Sequence, residues 1–260
     1  MSAFTIPLAQ LQLGILVFLR VSAILMTIPV FEGRNLIFLF KTGLALSISY
    51  FLVQTIKLDA AACFANPLSF GIGAVKEVLM GVAIGLSVRL VFAGVQCAGH
   101  LVGYQMGFAF ANTLDPQTNT QSSIVAQFQH QIALLLFLAI NAHHWFIRGI
   151  VESFRIINPF ACDFNGGVVE LLVRMGSGMF VVTAKVATPL MVVLLLTNVA
   201  LGLVAKTVPQ MNVFIVSFPL TIGVGLLFLA FTLPYLADFF VHLFQGVGRD
   251  MFLLLRTMGS

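Results

Sequence analysis

The 260-residue chain is 60% hydrophobic and only 8% charged, and its 13 Lys and Arg against 9 Asp and Glu give a formal net charge of +4. A soluble domain carries about 25% charged residues and needs polar groups to cover its core, so this composition excludes an ordinary soluble protein. The basic residues are scattered singly along the chain, which argues against nucleic-acid binding. We therefore expect an all-α, polytopic membrane protein.

Apolar stretches of roughly 20 residues, the length that crosses a bilayer as a helix, occur at about six places. The predicted segments are 6–28, 36–56, 70–110, 124–157, 168–205 and 213–255. We predict the fourth to be one continuous segment, apolar to Ala142 and amphipathic beyond Trp145. The last two exceed one bilayer thickness, so each is predicted to be a long projecting helix or a broken one, with Pro189, Pro219 and Pro234 as candidate kinks.

Several charged residues lie well inside these apolar stretches: Arg20, Lys41, Arg89, Lys185 and Asp238. Each costs about 2.5–3.5 kcal/mol at the centre of a bilayer, so they should be shielded from lipid. Two alternatives stay open, namely pairing with another subunit and a water-filled lumen. Arg148 and Glu152, and likewise Glu170 and Arg174, are four residues apart and are predicted to pair on a helix surface.

The strongest small-residue pattern is a run of three glycines at a spacing of four, Gly99, Gly103 and Gly107; Gly81 and Gly85 form a shorter one. This spacing puts the glycines on one helix face, where a neighbouring backbone can approach closely. Glycine also lowers helix propensity by about 1 kcal/mol relative to alanine. We therefore predict a tight helix contact and a deformable helix at this place. A polar segment, 112–123, follows immediately.

Motifs for chemistry are missing from the sequence. It contains neither a phosphate-binding G-x-x-x-x-G-K-[ST] nor a metal-binding H-E-x-x-H or C-x-x-C. The three cysteines, Cys63, Cys97 and Cys162, are predicted to be inert small hydrophobic residues. His143 and His144 are adjacent, so their rings diverge on a helix. We predict no catalytic residue, no cofactor and no metal, and an enzyme is not expected.

Two separated stretches carry a family resemblance. The first is Gly99-His100-Leu101-Val102-Gly103-Tyr104-Gln105-Met106-Gly107-Phe108-Ala109-Phe110, followed by Asp115-Pro116. The second is Thr207-Val208-Pro209-Gln210-Met211-Asn212-Val213-Phe214, running on through Ser217-Phe218-Pro219-Leu220. Together they resemble the FliR family of flagellar export-gate proteins, called SctT in virulence injectisomes. The order of the apolar segments and the total length also agree with that family.

The resemblance implies a non-enzymatic core subunit of a bacterial type III secretion export gate, in the inner membrane at the flagellar basal body. Proteins of this family assemble with FliP and FliQ into a closed helical pore, and FlhB docks on its cytoplasmic side. The pore passes unfolded flagellar proteins. The fold implied is a FliP-like helical part, residues 1–165, followed by a FliQ-like helical hairpin, residues 166–260.

The resemblance also implies two functional segments. A loop near residues 108–122 would plug the closed pore, with Phe108, Phe110, Asn112, Asp115, Pro116, Gln117 and Ser122 as its candidate residues. The tip of the hairpin would comprise Lys206, Pro209, Gln210 and Met211. The residues by themselves permit the plug, because a polar loop within a membrane is tolerated only in protein or a wet lumen. They also permit an ordinary solvent-exposed connection.

Two alternative functions remain. One is a secondary transporter for a small solute, in which the interior charges form a binding and proton-relay site. That architecture predicts an internal repeat, and the sequence shows no convincing one. The other is the injectisome counterpart of the gate. Copurification discriminates between the first and the gate, because a gate subunit purifies with FliP and FliQ whereas a transporter purifies alone.

Overall fold

The computed structural model describes residues 8–31, 38–55, 67–108, 123–159, 162–208, 210 and 212–259, and these residues are helical throughout apart from short connections. The helices are α1 (Leu8–Thr27), α2 (Phe38–Thr55), α3 (Pro67–Gln105), α4 (Ile124–Ala139), α5 (His143–Ile156), α6 (Gly166–Thr207) and α7 (Val213–Met258), with a 3-10 turn at Pro29–Phe31. Five of them are long and apolar enough to cross a membrane, and the count rises to six if α4 and α5 form one broken span. The all-α membrane architecture predicted from composition is confirmed.

The helix ends follow local chemistry. Pro67 opens α3 at a position where the missing N–H is not needed and α1 stops just before Pro29. By contrast, Pro189 lies inside α6, and α7 contains both Pro219 and Pro234. The two helices are therefore continuous, at 42 and 46 residues. At about 1.5 Å per residue each is roughly twice as long as the hydrocarbon core of a bilayer is thick.

The prediction of one continuous segment at 124–157 is wrong, because a turn separates α4 from α5. Asn141 adopts a left-handed backbone conformation with φ 56. The Ile140 amide still donates to the Leu136 carbonyl at 3.0 Å, whereas the His144 amide begins a new series by donating to the Asn141 carbonyl at 3.0 Å. Asparagine adopts this conformation more readily than other non-glycine residues. The turn therefore needs neither glycine nor proline.

The chain divides into two compact units. The first comprises Met1–Leu90, Asn141–Met175 and Phe244–Ser260. The second comprises Val91–Ile140 and Gly176–Leu243. Helices α3, α6 and α7 thus each contribute one part to either unit. The division near residue 166 into a FliP-like and a FliQ-like part stays a prediction.

An ion pair lies at the centre of the first unit. Arg20 of α1 and Glu77 of α3 are both fully buried, and the Arg20 Nη2 donates to Glu77 Oε1 at 3.0 Å. The Arg20 Nη1 donates to the carbonyl of Ser153 at 2.9 Å and to that of Ile157 at 3.2 Å, while its guanidinium lies 4.1 Å from the ring centre of Phe154. The carbonyls at a helix C-terminus carry the negative end of the helix dipole and attract cations. Arg20 is therefore partnered within its own chain. Neither pairing with another subunit nor a water-filled lumen, the two alternatives for the interior charges, applies to it.

A close approach of α1 to α3 makes this pair possible. Gly81 and Gly85 follow Glu77 at a spacing of four and face α1. A Cβ atom on Gly81 would lie 2.6 Å from the Ala23 Cβ, and one on Gly85 would overlap the Thr27 side chain. The shorter glycine pattern, Gly81 and Gly85, thus lies at the contact that brings Glu77 close to α1.

A hydrogen bond in the first unit links α3 to the segment that connects α5 and α6. Lys76, adjacent to Glu77 but on a different face, donates to the Cys162 carbonyl at 3.2 Å. Burial raises the pKa of the Cys162 thiol to about 11, so the thiol is protonated at neutral pH. This agrees with an inert cysteine.

The two predicted surface ion pairs have different outcomes. Glu170 and Arg174 are paired at 3.7 Å, as predicted. Glu152 pairs with Arg155 at 3.1 Å instead of with Arg148, so that prediction is wrong. Arg148 points into a groove beside α7.

Helices α6 and α7 run antiparallel, joined by residues 208–212. In the first unit the Asn165 Nδ2 donates to the Thr257 carbonyl at 3.4 Å. In the second, the Lys185 Nζ lies 5.9 Å from the ring centre of Phe239. Each contact joins residues at similar distances from the connection, as a helical hairpin requires.

Candidate functional site: the end of helix α3

In the second unit, the glycine face of α3 packs against the start of α4. A Cβ atom on Gly99 would overlap the Ala126 Cα, and one on Gly103 would overlap the Ser123 side chain. Ser123 precedes the first turn of α4 without capping it. Its hydroxyl donates instead across the contact to the Gly99 carbonyl at 3.4 Å. Both glycines therefore face α4 and its start in the same chain, Gly99 against backbone and Gly103 against the Ser123 side chain.

The end of α3 also contacts the first half of α7. Gly107 adopts φ +93, and a Cβ atom there would lie 2.7 Å from the Phe218 ring. The Met106 carbonyl accepts a hydrogen bond from the Thr221 hydroxyl at 3.1 Å. A Cβ atom on Gly225 would lie 2.7 Å from the Met106 Cε. The two sequence stretches that carry the family resemblance thus meet in space at Gly107 and Phe218.

Of the candidate plug residues, the structure describes only Phe108, which is half-buried beside Gly107. Phe110, Asn112, Asp115, Pro116, Gln117 and Ser122 lie outside the described residues. The structure does describe the residues at both ends of this segment. The chain leaves at Phe108 and returns at Ser123, which lies against Gly103.

Of the hairpin-tip residues, Lys206 is exposed in the last turn of α6, and Gln210 is exposed in the turn that follows. Pro209 and Met211 lie outside the described residues. Lys206 is the basic residue of that last helical turn. A cation at a helix C-terminus is favoured by the helix dipole.

A polar cluster that the sequence did not indicate lies beside the glycine face. The Gln96 amide and the His130 ring nitrogen are 2.9 Å apart, and the Phe92 ring packs edge-on against His130. Gln129, on α4, is 2% exposed, and its side-chain amide makes no hydrogen bond within the described part of the chain. Among the described residues no group of three or more His, Cys, Asp or Glu could hold a metal ion.

We expect Gly99→Leu to destabilise the chain itself, because the new side chain would force α3 away from the α4 backbone. Overpacking typically costs about 1–3 kcal/mol, and the clash here involves backbone, which cannot move aside. The measurement is the melting temperature of the purified protein in detergent. Gly43→Leu on α2 is the matched control, since nothing lies within 4 Å of a Cβ atom there. An equal or smaller loss of stability for Gly99→Leu would contradict the close contact.

Comparison with known proteins identifies the family. The family model described as bacterial export proteins, family 1, matches residues 11–247. The chain belongs to this export protein family. The flagellar biosynthetic protein FliR of Bacillus subtilis (strain 168) is 37% identical over 218 residues, 83% of either chain. FliR of Escherichia coli (strain K12) is 34% identical over 230 residues, 88% of this chain and 87% of the relative. FliR of Caulobacter vibrioides is 30% identical over 230 residues, 88% of this chain and 91% of the relative.

Membership of the export protein family confirms the resemblance read from the two motifs. The chain is a FliR homologue of the flagellar export apparatus, and it carries transmembrane helices. The prediction of an export component rather than an enzyme is confirmed by the same match. The solute-transporter alternative is set aside, because these relatives are flagellar biosynthetic proteins.

Proposed function

We propose that the chain is a core subunit of the flagellar type III secretion export gate. It forms, with FliP and FliQ, a pore in the inner membrane at the basal body, and FlhB docks at the cytoplasmic side. The pore passes unfolded flagellar proteins outward. The family match supports the export role, and the exposed surface of α6 supports the assembly.

The observation that supports assembly with other subunits is the length of the exposed apolar surface on α6. Its large exposed apolar side chains are Val169, Val173, Phe180, Val181, Val192, Leu195, Leu196, Val199, Leu203 and Val204. From first to last they extend over about 50 Å of helix, whereas the hydrocarbon core of a bilayer is about 30 Å thick. To bury this length in lipid, α6 would need a tilt beyond the usual limit of about 40°. Part of the surface must therefore be covered by protein, because exposed apolar patches of this size mark interaction sites.

The segment at 108–122 is proposed as the plug of the closed pore. Gly107 provides a left-handed turn at its start, and the half-buried Phe108 supplies an apolar stopper beside it. Both ends are held by packing, one against Phe218 and the other against Gly103.

The hairpin tip at 206–211 is proposed to face the cytoplasm, close to FlhB. Lys206 supports this orientation, since it is exposed where the long apolar helix α6 ends. Lysine and arginine are enriched at the cytoplasmic ends of membrane spans.

Copurification tests the proposal. The tagged chain should isolate FliP and FliQ from detergent-solubilised membranes. Val173→Arg and Leu203→Arg lie at opposite ends of the exposed apolar surface, and at least one of them should abolish copurification while the chain stays in the membrane. Arg174→Ala is the control, because Arg174 is exposed and its ion pair with Glu170 is worth about 0.5 kcal/mol or less. A wild-type chain that purifies alone would refute the gate.

A further inference from the structure

An open groove of about 550 Å³ lies between α5 and the C-terminal part of α7, both in the first unit. We call it the arginine groove, and its lining includes Trp145, Arg148, Arg249, Phe252, Leu253 and Arg256. We propose that the arginine groove binds an anionic phospholipid, with the headgroup phosphate held by the arginines and the acyl chains against the apolar side chains.

The charge of the groove fits an anion. Three of its lining side chains are arginines, and none of the described residues that line it is acidic. The acidic group nearest to Arg148 along α5, Glu152, is engaged by Arg155 at 3.1 Å. Asp250 follows Arg249 in sequence but does not line the groove. The planar guanidinium donates two parallel hydrogen bonds to phosphate oxygens, which makes arginine the preferred residue for this ligand.

The apolar side of the groove favours a lipid over a free phosphate ion. Phe252 and Leu253 lie between Arg249 and Arg256 on the same face of α7, at helical spacings of three and four. The ring of Trp145 packs on α7 so closely that a Cβ atom on Gly248 would lie 3.3 Å from it. The half-buried indole thus forms an apolar wall beside the charged rim. Tryptophan is enriched at the level of the lipid headgroups.

The position of the arginine groove along α7 agrees with a bound phospholipid. Residues 213–237 contain no charged side chain and are long enough to cross a bilayer. The charged residues of α7 follow that stretch, and the groove-lining residues of α7 lie beyond it. The helix dipole accounts for a cation such as Arg256 in the last turn, but it does not account for Arg148, which lies in the middle of α5. Basic pockets between membrane helices are known sites for anionic headgroups.

Lipid retention by the purified, assembled complex tests the proposal. The complex is exposed to mixed micelles of phosphatidylglycerol or phosphatidylcholine, and bound lipid is counted by native mass spectrometry. We expect phosphatidylglycerol to be retained over phosphatidylcholine. The triple variant Arg148→Gln, Arg249→Gln, Arg256→Gln should bind it about 10-fold more weakly or worse, since hydrogen bonds to charged groups are lost. The variant Lys206→Gln is the control and should retain the lipid, because Lys206 is an exposed basic residue that does not line the groove.

Four outcomes overturn the proposal, the last of them in a competition with inorganic phosphate. One is equal retention of the two lipids by the wild type, and another is unchanged phosphatidylglycerol binding by the triple variant. The third is loss of a copurifying protein in the triple variant with lipid binding intact, which would assign the groove to an acidic protein surface. If the triple variant does not assemble, Arg148→Gln alone, at an exposed position, gives the same readout. Inorganic phosphate at millimolar concentration should not displace the lipid, and displacement would show an anion site without a lipid.

Discussion

Replacing Arg20 with alanine should remove most of the folded chain from the membrane. Arg20 and Glu77 are fully buried, so the variant leaves the Glu77 carboxylate in the interior without its cation. Breaking a buried pair in this way costs about 3–5 kcal/mol, a large share of the roughly 5–15 kcal/mol that stabilises a typical domain. The change also removes the donor to Ser153 and Ile157, which ties α1 to the end of α5.

The measurement is the amount of chain in membranes together with its melting temperature in detergent. Glu77→Ala should be about as damaging, because it leaves the guanidinium buried instead. The double variant Arg20→Met, Glu77→Leu should be more stable than either single variant, since an apolar pair needs no desolvation of charge. Glu170→Ala, in a pair whose side chains are 77% and 73% exposed, is the control and should change little. A double variant no better than the single ones would mean that the pair is not the source of the loss.

Much of the fold could be predicted from apolar length and from the residues that interrupt it. The segments expected at 6–28 and 36–56 correspond to α1 and α2. Each apolar run ends in the sequence at a proline or at charged residues, such as Pro29 after the first run and Lys57 after the second. The break between α4 and α5 could not be predicted in this way. Asn141 makes it, and asparagine in a left-handed conformation leaves no signal like that of glycine or proline.

The partner of Arg20 was missed for a different reason. Glu77 lies 57 residues away from Arg20 in sequence and is adjacent to Lys76. Only the packing of Gly81 against α1 shows which of the two faces Arg20. Spacing patterns describe one helix face, whereas the identity of the opposing helix depends on the tertiary fold.

Spacing patterns were limited in the same way for the candidate site at the end of α3. The run of glycines indicated a close helix contact, and the structure places Gly99 against Ala126 and Gly107 against Phe218. The sequence contained both family motifs, yet nothing in it showed that the two motifs touch. The arginine groove was missed because its residues come from two helices, and Arg148 had been assigned to Glu152 by spacing alone.

Shortening the segment between α3 and α4 should leave the gate assembled but leaky. Ser123, at the start of α4, lies beside Gly103, one helical turn before Gly107, where α3 gives way to its terminal turn. The four residues from Gly103 to Gly107 rise about 6 Å along the helix, so only a few residues are needed to join the two helices. Helix connections usually take about 2–8 residues, whereas residues 109–122 exceed that length. A plug requires these additional residues, whereas a simple connection between two helices does not require them.

Deletion of residues 113–120 tests this, because the remaining residues still fall within the usual length of a helix connection. The Thr221 hydroxyl bond to Met106 and the contact of Gly107 with Phe218 lie outside the deletion, so the site at the end of α3 should persist. We expect FliP and FliQ to copurify as before, while cells expressing the complex become sensitive to sodium and admit an impermeant dye. A replacement of 113–120 by glycine and serine at equal length is the control that separates length from side-chain chemistry. If the shortened complex assembles and stays tight, the segment is only a connection and the seal of the pore is formed by other residues.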